Sequence, residues 1–190
     1  MILKRNKNDI KRLYSDMEKQ FPISELKPME EFQNLFSNNQ YIAYDVVNKE
    51  QKIGYVIIVE DKNNKIIWID YLAVLKEFHS HGYGSEILKE LEKIYKNFDG
   101  CYLEVEKPDN NIPNTLRRIN FYKKHGAVKL PVEYYYPNSN GILPMDLYYI
   151  PYAKQQAENI LIVIKNIFNI LHKNIKDIDE KYAKIRLIYE

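Results

Sequence analysis

The stretch IIWIDYLAVLKEFHSHGYGSEILKELEKIY, residues 66–95, constrains what this chain can fold into more than any other part of the sequence. An apolar run typical of a strand leads into a polar loop with two glycines, and apolar residues at helical spacing follow. A helix that begins on glycines directly after a strand presents free backbone N–H groups and the positive end of its dipole. The segment therefore predicts a binding site for a phosphate or pyrophosphate group.

The loop itself reads HSHGYGS, residues 79–85. Gly82 and Gly84 would let the backbone approach a ligand that a Cβ atom would obstruct, and Ser85 adds a hydroxyl. We expect the backbone N–H groups of residues 82–85 to be free. An ordinary loop softened by glycine is the alternative. The loop is not a P-loop, because no lysine followed by serine or threonine comes after the glycines, and it lacks the third glycine of a dinucleotide fold.

Around this segment the sequence predicts an alternation of helices and strands without a linker or an internal repeat. We therefore expect one mixed α/β domain over residues 1–150. Apolar positions between residues 153 and 190 predict one long helix with a wide apolar face, a C-terminal extension spanning residues 151–190. That face would either cover the sheet of its own domain or form a homodimer contact. The predicted helices lie at residues 9–20, 25–36, 84–98 and 114–124, and the predicted strands at 41–47, 53–60, 66–75, 101–106, 128–136 and 145–150.

Composition excludes several classes of function. A net charge of +2 over 190 residues gives no reason to expect a nucleic-acid partner. The single cysteine, Cys101, cannot build a disulfide framework or a cysteine zinc site, and His79 and His81 lack a nearby acidic ligand, so we expect no metal. No apolar run has the length of a signal peptide or a membrane span. We expect a cytoplasmic protein with no membrane partner.

Two further segments carry candidate catalytic groups. In residues 100–108, Glu104 and Glu106 alternate with apolar residues, which would place both carboxylates on one face of a strand. Such a carboxylate can act as a general base, although a solvated strand face is an equal alternative. In residues 114–127, Tyr122 lies on a predicted helix, where it either packs in the core or donates a proton to a leaving thiolate.

Taken together, these motifs resemble the GNAT superfamily of acyl-CoA-dependent N-acyltransferases over residues 9–150. The pyrophosphate loop of that family reads Gln/Arg-x-x-Gly-x-Gly/Ala, and here His79, Gly82 and Gly84 take the defining positions. His79 and Ser80 stand where the family usually has arginine and glycine. The segment LAV, residues 72–74, resembles the strand whose backbone pairs with pantetheine. NFYKKHGA, residues 120–127, resembles the late helix whose tyrosine commonly serves as general acid.

The resemblance implies a GNAT-type α/β fold: a splayed, mostly antiparallel sheet flanked by helices, with an extra C-terminal helix. It implies an N-acetyltransferase that moves an acetyl group from acetyl-CoA to a primary amine of a small molecule or peptide by direct attack. A non-catalytic acyl-CoA-binding module is the alternative, whereas the missing lysine disfavours an ATP or GTP binder. The implied catalytic residues are Tyr122 as acid and Glu104 as base. The implied cofactor contacts come from Leu72, Ala73, Val74, His79, His81, Gly82, Tyr83, Gly84 and Ser85.

Overall fold

The computed structural model describes residues 1–7, 9–109, 111–138 and 141–188. The helices are α1 (Ile10–Glu18), α2 (Met29–Leu35), α3 (Tyr83–Ile94), α4 (Pro113–Lys124), α5 (Ile160–Leu171) and α6 (Ile178–Tyr182). The strands are β1 (Ile2–Asn6), β2 (Tyr41–Asn48), β3 (Gln51–Asp61), β4 (Ile66–Val74), β5 (Gly100–Glu106), β6 (Val128–Lys129), β7 (Val132–Asn138), β8 (Gly141–Pro151) and β9 (Arg186–Leu187). Single 3-10 turns lie at Ile23–Glu25 and Lys76–Phe78.

The chain divides into two compact units. The first comprises Met1–Asp61 and Ile69–Tyr95, and the second comprises Lys62–Trp68 and Lys96–Glu190. Strand β4 therefore begins in the second unit and ends in the first.

In the first unit the strands follow the order β1, β2, β3, β4. The pairs β1–β2 and β2–β3 are antiparallel. Residues 53–59 of β3 are all buried, which is typical of a central strand covered on both faces. Helices α1, α2 and α3 of this unit each bury apolar residues, and α1 does so with Leu13 and Met17.

In the second unit β5 pairs antiparallel with β8, and β8 pairs antiparallel with β6 and β7. Strand β9 pairs with the other edge of β7. Large aromatic side chains form much of the core, and among the most fully buried are Trp68, Tyr102, Tyr134, Tyr149 and Phe168. The high tyrosine content of the chain is thus used in part for packing, and the hydroxyls of Tyr134 and Tyr149 donate hydrogen bonds from the core.

The predicted fold class, a mixed α/β fold with a mostly antiparallel sheet flanked by helices, is confirmed. No helix in the described part of the chain is long and apolar enough to cross a membrane. The domain boundary at residue 150 remains a prediction.

Several local predictions were wrong. The tail forms α5, α6 and β9 rather than one long helix, since the chain leaves α5 after Leu171 and turns through Asp177 with a positive φ of 57°. Helix α3 ends at Ile94 rather than at residue 98. Strand β1 was not predicted at all. The sequence PNSNG, residues 137–141, also predicts a turn, and its residues 139 and 140 lie outside the described residues.

Candidate functional site

The glycine loop of the first unit has the geometry of an anion-binding turn. Helix α3 begins directly after Gly82, whose φ of +80° lies in the left-handed region that favours glycine. A Cβ atom built on Gly82 would meet no atom within 4 Å, so the space above this residue is open. Gly84 has no positive φ and takes its place as an ordinary residue of the first helical turn. Only the first of the two glycines is therefore required by backbone conformation.

The start of α3 leaves some backbone donors available. The N–H groups of Ser85 and Glu86 donate to the Gly82 carbonyl at 3.0 and 3.3 Å. The expectation that the Ser85 N–H is free was therefore wrong, because the helix closes on Gly82. Within the described residues, the N–H groups of Gly82, Tyr83 and Gly84 have no backbone acceptor. With the helix dipole they form a small positive concavity.

The two loop histidines tie the loop to the end of β4. The His79 ring donates from Nε2 to the Val74 carbonyl at 2.8 Å, and the His81 ring donates from Nδ1 to the His79 carbonyl at 2.7 Å. Ser80, between them, has a positive φ of 65°. Both rings are thus committed to backbone carbonyls, and among the described residues no group of three potential metal ligands occurs.

Tyr83 uses its side chain to fix the loop. Its hydroxyl accepts a hydrogen bond from the Asn48 amide at 3.0 Å. Its ring stacks on His81 at 6.0 Å between centroids and meets Phe78 edge-on at 6.4 Å. The part of Tyr83 that remains for a ligand is its backbone N–H.

The last residues of β4 present backbone groups in alternating directions. A Cβ atom built on Gly54 of β3 would lie 2.4 Å from the Ala73 carbonyl oxygen, and the Leu75 N–H donates to Ile53 at 2.9 Å. Residues 73 and 75 thus turn their polar backbone groups toward β3. Because these groups alternate along a strand, those of Leu72 and Val74 point to the opposite edge. The Val74 carbonyl there already accepts from His79.

The sequence did not suggest the buried ion pair beneath this strand end. Lys27 Nζ contacts both carboxylate oxygens of Asp70 at 2.8 and 2.9 Å, and the Tyr41 hydroxyl donates to Asp70 at 2.6 Å. The Lys27 and Asp70 side chains are only 4% and 2% exposed. Burial raises the pKa of the neighbouring Glu31; Lys27 opposes this rise and Asp70 adds to it. The one sequence signal was an aspartate inside the apolar run of β4.

In the second unit the candidate base Glu104 lies beside Tyr134. The Tyr134 hydroxyl donates a hydrogen bond to Glu104 Oε1. Tyr134 is fully buried, and its ring packs near Trp68, which stacks on Tyr102 at 5.8 Å with an interplanar angle of 7°. Glu104 therefore lies on an aromatic face of the sheet.

The candidate acid Tyr122 lies in a different neighbourhood. Burial raises the pKa of Tyr122 to about 12; Arg118 opposes the rise, and Cys101 and Glu106 add to it. Arg118, one turn earlier on α4, forms an ion pair with Glu106. Glu106 is thus engaged by a cation. Cys101 is buried and donates to the Tyr102 carbonyl at 3.6 Å, which disfavours a role as nucleophile.

The mixed, mostly antiparallel sheet flanked by helices matches the fold of solved acyltransferases. The model of the "Acetyltransferase (GNAT) family" matches residues 10–127, and the chain belongs to that family. It is therefore an acyltransferase. No role for an individual residue follows from this membership.

Known proteins resemble the chain over most of its length. "Putative acetyltransferase YjbC" of Bacillus subtilis (strain 168) is 25% identical over 182 residues, covering 93% of this chain and 91% of that protein. A solved "Putative acetyltransferase from GNAT family" from Bacteroides thetaiotaomicron has a TM-score of 0.75 at 20% identity, covering 93% of this chain and 100% of that one. An aminoglycoside 6'-N-acetyltransferase, solved with coenzyme A, has a TM-score of 0.57 at 18% identity, covering 78% and 95%. These structures share the fold.

Proposed function

We propose that this acyltransferase is an N-acetyltransferase, moving an acetyl group from acetyl-CoA to a primary amine by direct attack. The observation that carries the proposal is the start of α3, where Gly82 has a left-handed backbone and open space above it. A pyrophosphate needs such a concavity of N–H donors. A coenzyme A complex of a protein with the same fold supports the choice of cofactor.

The residues present fit that cofactor. The N–H groups of Gly82, Tyr83 and Gly84 would bind the pyrophosphate oxygens, and the Ser85 hydroxyl would add a donor. His79 and His81 hold the loop in the required shape through their bonds to backbone carbonyls. The Leu72 carbonyl and the Val74 N–H would pair with the pantetheine amides. Ala73, between them, turns its own carbonyl toward Gly54.

The chemistry that acetyl-CoA supplies is a thioester carbonyl that a neutral amine can attack. The Leu72 N–H would polarise this carbonyl oxygen as negative charge develops on it. Glu104, directly or through a water, would accept the proton that the amine loses as the new C–N bond forms. Tyr122 would donate its phenolic proton to the sulfur as the C–S bond breaks. Its raised pKa keeps the phenol protonated at neutral pH, and solvent would restore the proton.

We propose a small-molecule or peptide amine as the acceptor. Glu104 accepts a hydrogen bond from the Tyr134 phenol, and its negative charge would attract an ammonium group. The nearby aromatic side chains would favour a cation further. The ammonium group would lose one proton to solvent before attack, and Glu104 would accept the second proton as the C–N bond forms.

Two glycines that share the same left-handed backbone conformation allow a matched test of the cofactor site. Gly82 and Gly126 have φ values of +80° and +81°, and a Cβ atom on either would meet nothing within 4 Å. Replacing each by alanine should cost about 1 kcal/mol of stability, because the left-handed region is strained for residues with a Cβ.

Only Gly82→Ala should weaken CoA binding, by about tenfold or more, since only its methyl group would enter the pyrophosphate site. Calorimetric titration with CoA measures the affinity, and an amine panel with detection of released thiol measures transfer. Equal affinities of the two variants, or no amine-dependent thiol release by the unmodified protein, would contradict the proposal.

A further inference from the structure

The C-terminal tail lies outside the matched residues 10–127, yet it is attached to both ends of β7. At the start of β7, Val132 and Glu133 pair with Leu187 and Arg186 of β9. At the end of β7, Lys181 Nζ donates to the Asn138 carbonyl at 3.2 Å. The tail thus brackets the strand that carries Tyr134.

Between these two attachments, α5 places an aromatic ring against Tyr134. Phe168 is buried, and its ring meets the Tyr134 ring edge-on with 6.2 Å between centroids. The Phe168 ring is in turn backed by His172 at 5.3 Å and by Tyr182 at 6.0 Å. The Tyr182 hydroxyl donates to the Leu161 carbonyl at 2.9 Å, which links α6 to α5.

Tyr134 links Phe168 to the candidate base Glu104. Its ring lies between Phe168 and Trp68, with 6.2 Å from its centroid to each of the other two, and it is 1% exposed. A ring packed on two sides in a close-packed core has little freedom to rotate or shift. Its hydroxyl, which donates to Glu104 Oε1, is therefore held at a fixed place.

We propose that the C-terminal tail is part of the catalytic apparatus: through Phe168 it fixes Tyr134, and Tyr134 orients the Glu104 carboxylate that takes the proton from the amine. Tyr134 and Phe168 are positioning residues. The inference rests on the proposed function, in which Glu104 is the general base. The hydrogen bond from Tyr134 to Oε1 limits the rotation of the Glu104 carboxylate, and small errors in the placement of a reacting group cost large factors in rate.

The first test removes the hydroxyl that contacts Glu104. Tyr134→Phe should lower kcat about tenfold and move the acid limb of the kcat profile about one unit to higher pH, because the carboxylate loses a donor that stabilises its charged form. Tyr135→Phe is the matched control. It removes a hydroxyl from the next residue, where the phenol donates to Glu133 at 2.7 Å, and should leave the pH profile unchanged.

The second test examines the link from the tail. Phe168→Leu should shift the acid limb in the same direction, and adding it to Tyr134→Phe should lower kcat no further, because both changes act on one hydrogen bond. Ile164→Ala is the control: it opens a cavity at another buried position of α5 and leaves the ring contact between Phe168 and Tyr134 in place. It should lower Tm without moving the pH profile.

An NMR titration, which requires no catalytic turnover, distinguishes the positioning of Glu104 from the proposed function. In the free protein, the carboxyl ¹³C resonance of Glu104 should titrate at higher pH in Tyr134→Phe and Phe168→Leu than in the two controls. If that shift occurs while the unmodified protein transfers no acetyl group, the proposed function fails and the positioning of Glu104 stands. If the ¹³C titration and the kcat profile of Tyr134→Phe match those of Tyr135→Phe, the inference is overturned.

Discussion

The imidazole of His79 donates from Nε2 to the Val74 carbonyl at 2.8 Å, at the edge of β4 where the sequence led us to expect pantetheine. The arginine usual at this position is thus replaced by a residue that ties the loop to the strand. The tie fixes the loop in the conformation that exposes the N–H groups at the start of α3. It also occupies one of the two carbonyls on that edge, so ligand and histidine could compete for it.

Replacing His79 distinguishes support from competition. His79→Ala should weaken CoA binding about two- to tenfold, because it removes one hydrogen bond that holds the loop in its binding conformation. His79→Gln should stay within about twofold of the unmodified protein, because the glutamine amide retains a donor of similar reach. Calorimetric titration with CoA measures both. Tighter binding by His79→Ala would mean that the histidine competes with the ligand for Val74.

Ser80 should be a site of stabilisation. Its φ of 65° is strained for a residue with a Cβ. Ser80→Gly should raise the free energy of unfolding by about 0.5–1 kcal/mol, since relief of roughly 1–2 kcal/mol of strain outweighs the greater entropy of glycine in the unfolded chain. Ser85→Gly, within the first turn of α3, should instead lower it. Urea unfolding compares the two, and a destabilised Ser80→Gly would rule out strain at this position.

Tyr122→Phe tests the proposed acid. We expect kcat to fall about 100-fold with little change in KM, because proton donation assists only the transition state. Because burial raises the pKa of Tyr122 to about 12, the phenol keeps its proton, and kcat of the unmodified enzyme should not decline between about pH 8 and pH 10. A variant with unchanged kcat would remove Tyr122 from the mechanism.

The raised pKa of Tyr122 also predicts how the stability of the protein depends on pH. The folded-state pKa of Tyr122, about 12, exceeds the value near 10 of an unfolded chain, so its contribution is fully present below about pH 10 and is lost as pH rises through about 12. Over that window the unfolded state binds fewer protons, and stability falls. Tyr122→Phe should make the decline shallower by up to about 1.4 kcal/mol per pH unit. Denaturant unfolding at several alkaline pH values measures the slope.

Lys27→Met should be among the most damaging substitutions in the first unit. It would leave the Asp70 carboxylate buried without its cation, at a cost of about 3–5 kcal/mol. Adding Asp70→Asn should recover much of that loss, because the uncompensated charge disappears. Lys93→Met, which breaks an exposed pair with Glu90, should change stability by less than about 0.5 kcal/mol. Similar losses for both lysines would show that the buried pair is not required.

Local patterns were sufficient for much of the fold and for the loop. The strand, the left-handed Gly82 and the amphipathic α3 lie within one continuous segment, so sequence spacing determines their geometry. Tyr122 and Glu104 could be nominated for the same reason, since each lies in a recognisable local motif. Their roles, the cytoplasmic location and a homodimer through the tail remain predictions.

What the sequence did not reveal depends on contacts between distant segments. Tyr134 lies 30 positions from Glu104 and Lys27 lies 43 from Asp70, and no local period marks either pair. Strand β1 is short and mostly polar because it lies at an edge, so it lacks the alternation that identifies a half-buried strand. In the tail, the spacing of the apolar residues predicts a single helix. The chain instead turns at Asp177 and returns to pair with β7.

The central claim is direct transfer of an acetyl group from acetyl-CoA to an amine. Its most direct test incubates the protein with acetyl-CoA and a panel of amines, and follows the masses of the amine and of the intact protein together with free thiol. The account predicts one acetylated amine for each thiol released and no acetyl group on the protein at any time. Thiol release without acetylated amine, or an acetyl group carried on Cys101 before the amine is added, would contradict it.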